Sequence, residues 1–206
     1  MDIVWGDNSH YRGDLEIEGL PDFDETTMNF TVDELTTSRN DLQQIPTYPF
    51  AEGKFLEIPP NIALLGKIKF KGTISKLYGD YVSYGNFYTS LGNIYTDLSL
   101  SQNPKNDVVS YKGKLRSKNF DIGTFLESSS YLGKITLDAA IKGSGLRKDN
   151  LTVDITGKVQ QIEFNNYNYN NIDVEGNISK RVFMGHLNVK EENIDMVFDG
   201  SLDFSK

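Results

Sequence analysis

The sequence predicts an all-β protein: a curved antiparallel meander with an open groove and a few short helices. Three observations carry that prediction. Apolar and polar residues alternate over most of the chain, the two-residue period of strands with one wet face. Short turn signals divide the alternation: Ser90-Leu91-Gly92-Asn93, Asn103-Pro104-Lys105-Asn106-Asp107, Asn165-Asn166, Ser179-Lys180-Arg181 and Glu191-Glu192-Asn193. Links this short join antiparallel neighbours. Glycine recurs inside the strands, on their apolar side. Ile172, Val174, Gly176 and Ile178 share one face, as do Phe183, Gly185, Leu187 and Val189, and Phe198, Gly200, Leu202 and Phe204. Gly72, Gly113, Gly157, Gly176, Gly185 and Gly200 are the expected strand-bending positions, because interior glycine marks a bend or a close approach. Ordinary sandwich strands with incidental glycine are the alternative.

Strands are expected near residues 3–5, 12–19, 27–34, 54–58, 66–77, 81–90, 93–101, 108–117, 133–143, 151–164, 167–179, 182–190 and 194–204. A parity change between Phe164 and Tyr167 fits a hairpin turn, and a second between Tyr169 and Ile172 fits a bulge. Three short helical turns are expected. Ser38 caps the first, Pro59 and Pro60 open the second, which Gly66 closes, and Asp121 caps the third. Pro46, Pro49, Pro59 and Pro60 mark a connection, dividing an N-terminal β lobe at 1–60 from a continuous groove segment at 61–206.

Composition narrows the function classes. Charged residues are 24% and the net charge is -8, so nucleic acid is not an expected partner, and the cations read as scattered outward residues of strands. With no cysteine there is no disulfide, thiolate metal site or thiol nucleophile. No cofactor or metal is expected. Asp22, Asp24 and Glu25 lack the ligand spacing of a calcium loop and read as a solvated acidic loop. His10 and His186 stand apart from any nucleophile or metal motif, and no GxSxG, P-loop or dinucleotide fingerprint occurs, so an enzyme is not expected. The aromatics Phe70, Tyr78, Tyr81, Tyr84, Phe87, Tyr88 and Tyr95 read as cross-hairpin packing, with carbohydrate stacking as the alternative. Asn29, Asn150 and Asn177 begin glycosylation-type triplets, which matter only in a eukaryotic secretory setting. No basic n-region or apolar h-region follows Met1, so the protein is expected to be either cytoplasmic or a segment of a longer protein, and alternation that is under way by Asp14 and continues to Phe204 favours the segment.

Several stretches together resemble a known family. They include Leu35-Thr36-Thr37-Ser38, Ile45-Pro46-Thr47-Tyr48-Pro49-Phe50, Leu65-Gly66-Lys67-Ile68-Lys69-Phe70-Lys71-Gly72 and Gly85-Asn86-Phe87-Tyr88-Thr89-Ser90-Leu91-Gly92. Tyr111-Lys112-Gly113-Lys114-Leu115, Phe120-Asp121-Ile122-Gly123, Gly143-Ser144-Gly145-Leu146, Tyr167-Asn168-Tyr169-Asn170-Asn171-Ile172 and Phe198-Asp199-Gly200-Ser201-Leu202-Asp203-Phe204 continue the series. Over nearly its whole length the chain resembles an internal part of the TamB proteins, the AsmA-like translocation and assembly module component of Gram-negative bacteria. The resemblance implies a β-taco fold in a periplasmic protein anchored in the inner membrane, the anchor lying outside this chain. It implies phospholipid transport toward the outer membrane, or assistance to outer-membrane β-barrel assembly with a TamA-type outer-membrane protein. Neighbouring segments of the same long chain are further implied partners. No catalytic residues are implied.

Alternation and resemblance together make the expected function a passive apolar conduit. Phospholipid acyl chains are expected to lie on Phe70, Ile74, Leu137, Ile141, Val153, Ile155, Val159, Val174, Ile178, Phe183, Leu187, Phe198, Leu202 and Phe204. The alternatives are a chaperone-like scaffold offering sheet edges to barrel strands, and an adhesin-like structural module with a dry interior.

Overall fold

The computed structural model describes residues 1–19, 26–46, 53, 55–56, 58–77, 80–103, 108–147 and 149–204. The acidic loop of Asp22, Asp24 and Glu25, the aromatic Tyr78, Pro49 and the turn residues Pro104 to Asp107 lie outside the described residues.

Among the described residues, twelve strands form one open sheet whose order is the order of the chain, each antiparallel to the next. They are β1 (Asp2–Trp5), β2 (Ser9–Glu18), β3 (Thr27–Thr37), β4 (Ile68–Leu77), β5 (Asp80–Thr89) and β6 (Gly92–Asn103). Then follow β7 (Val108–Asp121), β8 (Leu132–Ser144), β9 (Thr152–Phe164), β10 (Tyr167–Ser179), β11 (Val182–Lys190) and β12 (Asp195–Asp203). The all-β meander predicted by the sequence is therefore the fold. β3 pairs directly with β4, so the sheet runs unbroken past residue 60. The strand expected at 54–58 is absent among its described residues, where Phe55 makes only an isolated bridge to Pro46.

Alternation sets the two faces. On β9, Val153 and Val159 are buried while Asp154, Thr156 and Lys158 are exposed. The outer face carries complementary charges across neighbouring strands: Arg116 opposite Asp138, Asp138 opposite Lys158, and Lys158 opposite Asp173. Such directly opposed pairs favour this register over a one-residue slip. Lys112, Lys114, Arg116 and Lys118 all lie exposed on the outer side of β7. They form one basic row where the sequence predicts only scattered cations, because parity along a single strand collects every second residue on one face.

Turn chemistry sets the hairpins. Asn165 and Asn166 take φ of 48° and 62°, the positive values that a two-residue hairpin turn requires and that asparagine tolerates. Asn171 has φ 50° at the predicted parity break between Tyr169 and Ile172. On β9, Ile162 pairs with Tyr169 and Val159 with Ile172, so both strands change phase together.

The three helical turns form where expected. α1 (Arg39–Leu42) is capped by Ser38, whose hydroxyl accepts from the Asp41 N–H. A 3-10 helix (Pro60–Leu65) begins on proline and ends at Gly66, φ 63°. α2 (Ile122–Phe125) is capped by Asp121, which accepts from both the Thr124 N–H and the Thr124 hydroxyl at 2.8 Å.

The sheet doubles back on itself. Thr152, Ser179, Val182 and Asp203 lie on one row of the sheet, at one end of β9 to β12. Phe164 ends β9 at the opposite margin, about 40 Å away along a straight strand. Yet the Phe204 ring, next to Asp203, lies 5.7 Å from that of Phe164. Only a sheet folded upon itself allows this contact. Gly176, Gly185 and Gly200 form a row across β10, β11 and β12, three residues in from the Ser179, Val182 and Asp203 end. Gly72 faces Gly85 likewise on β4 and β5.

Among the described residues, the inner face holds two apolar clusters. The smaller centres on Tyr11, Val32 and Phe70, joined by Trp5, Phe30, Leu35, Ile74 and Phe87. The larger centres on Phe120, Ile135, Leu137, Ala139, Val159, Ile172, Val174, Phe183 and Val189. Phe70 is 2% exposed, and removing such a ring from water contributes about 2–3 kcal/mol.

Candidate apolar groove

Inside the folded half of the sheet, β8 to β12 enclose a cavity of about 380 Å³. That volume lies within the range of ligand-binding sites. Its walls come from both ends of the strands. Leu151, Ile155, Ile178, Phe183 and Leu202 line it from one end, and Ile162, Phe164, Tyr169 and Val189 from the other. Val159, Ile172, Val174 and Leu187 lie between them, with Met196 on the last strand. Leu126, Ser128, Tyr131, Leu132 and Ile135 complete the lining from the stretch around α2 and the start of β8. Among the described lining residues, Arg181 is the one charged side chain.

Aromatic rings meet across the fold. Tyr131 stacks on Phe204 at 6.0 Å with 12° between the rings, and the Tyr131 ring lies 6.2 Å from Phe164 edge-on. These rings bridge opposite margins of the sheet. A second bridge is the 3-10 helix. The Leu65 carbonyl accepts from the Ser90 N–H at 3.0 Å on one margin, while Asn61 Nδ2 donates to the Leu146 carbonyl at 2.9 Å on the other. Leu65 and the α2 residues Ile122 and Phe125 pack on the larger cluster. The helical turns thus cover the inner face beside the cavity.

The groove residues read from sequence divide by position. Ile155, Val159, Val174, Ile178, Phe183, Leu187, Leu202 and Phe204 line the cavity. Leu137, Ile141 and Phe198 belong to the larger cluster without lining it, and Val153 is buried on the same face. Phe70 and Ile74 lie in the smaller cluster, where Phe70 packs on Phe87 at 4.4 Å. Of the bending glycines, Gly157 lies beside Ala139 and Val174, while Gly113 takes φ 144° opposite Leu98 and Ile141. Parity alone reaches Ile172 and Val189, whereas Ile162 lies beyond the phase change of β9. Tyr131, Leu126 and Arg181 lie in turns and carry no periodic signal.

The other constellations lie elsewhere. Tyr84 and Tyr95 meet edge-on at 5.5 Å on the outer face, with the Arg116 guanidinium 3.9 Å from the Tyr95 ring centroid. His10 Nε2 lies 2.8 Å from Asp2 Oδ1, and His186 Nδ1 lies 2.8 Å from Asp199 Oδ1, both pairs exposed. Burial pushes the Tyr111 hydroxyl up to about 12. The Ser9 hydroxyl, donating at 2.6 Å, is the main influence holding the Asp41 carboxyl below its usual range. Among the described residues, no helix is long and apolar enough to cross a membrane.

No family model matches the chain, and neither a curated protein nor a solved structure matches it.

Proposed function

We propose that this chain is a lipid-holding segment of a TamB-like periplasmic protein, in which acyl chains lie in the fold of β8 to β12 while phospholipid passes between the two membranes. The observation that carries the reading is the cavity itself: an apolar space walled by both ends of the same strands, with one charged side chain among the described residues of its lining. Each methylene transferred from water onto such walls contributes about 0.8 kcal/mol, so a single acyl chain supplies ample binding energy without a catalytic group. The role is passive, and no residue needs to react.

Native mass spectrometry of the protein purified from a Gram-negative host tests the proposal. Co-purifying phospholipid is expected, and it is lost when Leu187 on the cavity wall becomes arginine in a variant that still folds. A lipid-free wild-type protein that also fails to take up added phospholipid contradicts it.

A second reading, a scaffold for outer-membrane barrel strands, draws on β12, the last strand in the described sheet order, where Val197 is 63% exposed. It requires binding of unfolded barrel peptides that is indifferent to the Leu187→Arg change.

A further inference from the structure

We infer that the groove selects amphiphiles with an anionic head, a phosphate or carboxylate, held by Arg181 at the margin while the tail lies along Ile178, Phe183 and Leu202. The inference rests on the lipid-holding reading and adds the head-group chemistry.

Three observations carry it. The first is isolation of charge: Arg181 is the single charged residue among the described residues that line the cavity. An apolar site with one cation at its margin has the polarity of an anionic amphiphile, with tail and head satisfied by separate parts of one site.

The second is availability. The Arg181 Nη2 meets Asp149 Oδ1 at 3.4 Å, and the Asp149 side chain is 62% exposed. An exposed ion pair of this length adds little stability and leaves most of the five guanidinium donors in play. A phosphate or carboxylate anchored by its tail accepts two parallel hydrogen bonds from the guanidinium edge, which a solvated aspartate at 3.4 Å does not match.

The third is backbone geometry. Lys180 and Arg181 connect β10 to β11 with φ of 49° and 64°. The equivalent two-residue turn between β9 and β10 uses Asn165 and Asn166, residues suited to positive φ. Lysine and arginine are poor choices there, and a costly backbone conformation at a site is an indicator of function. The turn is also fixed, since the Arg181 carbonyl accepts from the Phe204 N–H at 2.8 Å. Arg181 is thereby tied to the residue whose ring stacks on Tyr131.

Displacement of a neutral naphthylamine dye from the groove separates head from tail. Dodecyl phosphate and dodecanol share a tail and differ in head charge. The wild-type protein is expected to prefer dodecyl phosphate by about tenfold. Arg181→Gln is expected to bring the two ligands level by weakening dodecyl phosphate alone, and Arg181→Lys to restore part of the preference. Asp149→Asn, which removes the competing carboxylate and leaves Arg181 in place, is expected to enlarge the preference and serves if the Arg181 variants do not fold. Equal displacement by both ligands from the wild-type protein overturns the inference while leaving the groove reading intact. A preference unchanged in Arg181→Gln overturns the assignment to Arg181. Failure of both ligands to displace the dye, or of the dye to bind, overturns the inference together with the lipid-holding reading.

Discussion

Gly185 lies so close to Gly176 that a methyl group on Gly185 would sit 2.5 Å from the Gly176 Cα. The two are register partners on β11 and β10, and Gly200 on β12 continues the row. A side chain there would push β10 and β11 apart within the folded half of the sheet. Gly185→Val is therefore expected to destabilise the protein by about 3 kcal/mol or more, with loss of the cavity. Urea unfolding of the variant beside a valine substitution at the exposed Asn193 measures this. Equal stabilities would show that the row does not need glycine.

Phe204 closes one side of the cavity by its contacts with Tyr131 and Phe164. Phe204→Ala removes the ring that joins the two margins. A loss of about 1–2 kcal/mol is expected, together with faster entry of an apolar dye. Stopped-flow fluorescence reads the entry rate, and an unchanged rate would exclude these rings as a barrier.

Asp41 ties α1 to the β1–β2 turn. It accepts from the Ser9 hydroxyl at 2.6 Å and from the Asp7 and Asn8 N–H groups at 3.2 Å and 3.4 Å. These bonds favour the charged carboxylate, so its folded pKa lies below the ordinary value of 3.8. The unfolded chain then binds the proton first as pH falls. The stabilisation is complete above the unfolded value and is lost as pH drops through the folded one. The stability advantage of the wild-type protein over Asp41→Asn is expected to shrink below about pH 4, as read by denaturant unfolding across pH.

Tyr111 behaves in the opposite sense. Burial alone raises its hydroxyl from 10.0 to about 12. In the unfolded chain the proton leaves near the ordinary value, while the folded protein keeps it. The contribution is whole below the unfolded value and is lost as pH rises through about 12. Absorbance titration of the phenolate band in wild-type and Tyr111→Phe proteins tests this. One late-titrating tyrosine, the one near 12, is expected to vanish in the variant, while Tyr11, Tyr81 and Tyr95, which are also raised, remain.

The strand phase was legible because each side chain reports its own face. Val153, Val159, Val174 and Phe183 all point inward as alternation predicts. The helical turns at Ser38, Pro59 and Asp121 were equally local, each set by a cap or a proline. Long-range contacts leave no such trace. Asn61 bonds Leu146 across 85 positions of sequence, and no period links them. The contact of Phe204 with Phe164 depends on curvature summed over four strands, to which each glycine contributes only a part. Alternation also cannot separate one inner face into two clusters, so Phe70 and Phe183 look alike in sequence although they lie in different cores. Arg181 resembled an ordinary turn residue, because its place in the cavity lining comes from what the folded sheet brings around it.

The most direct test places a photoreactive side chain at Leu187 on the cavity wall and, separately, at Lys158 on the outer face. Both proteins are irradiated in cells and searched for covalently attached lipid. Attachment of phospholipid at Leu187 and none at Lys158 is the predicted result. Equal labelling at both positions, or none at Leu187, would contradict a groove that holds acyl chains.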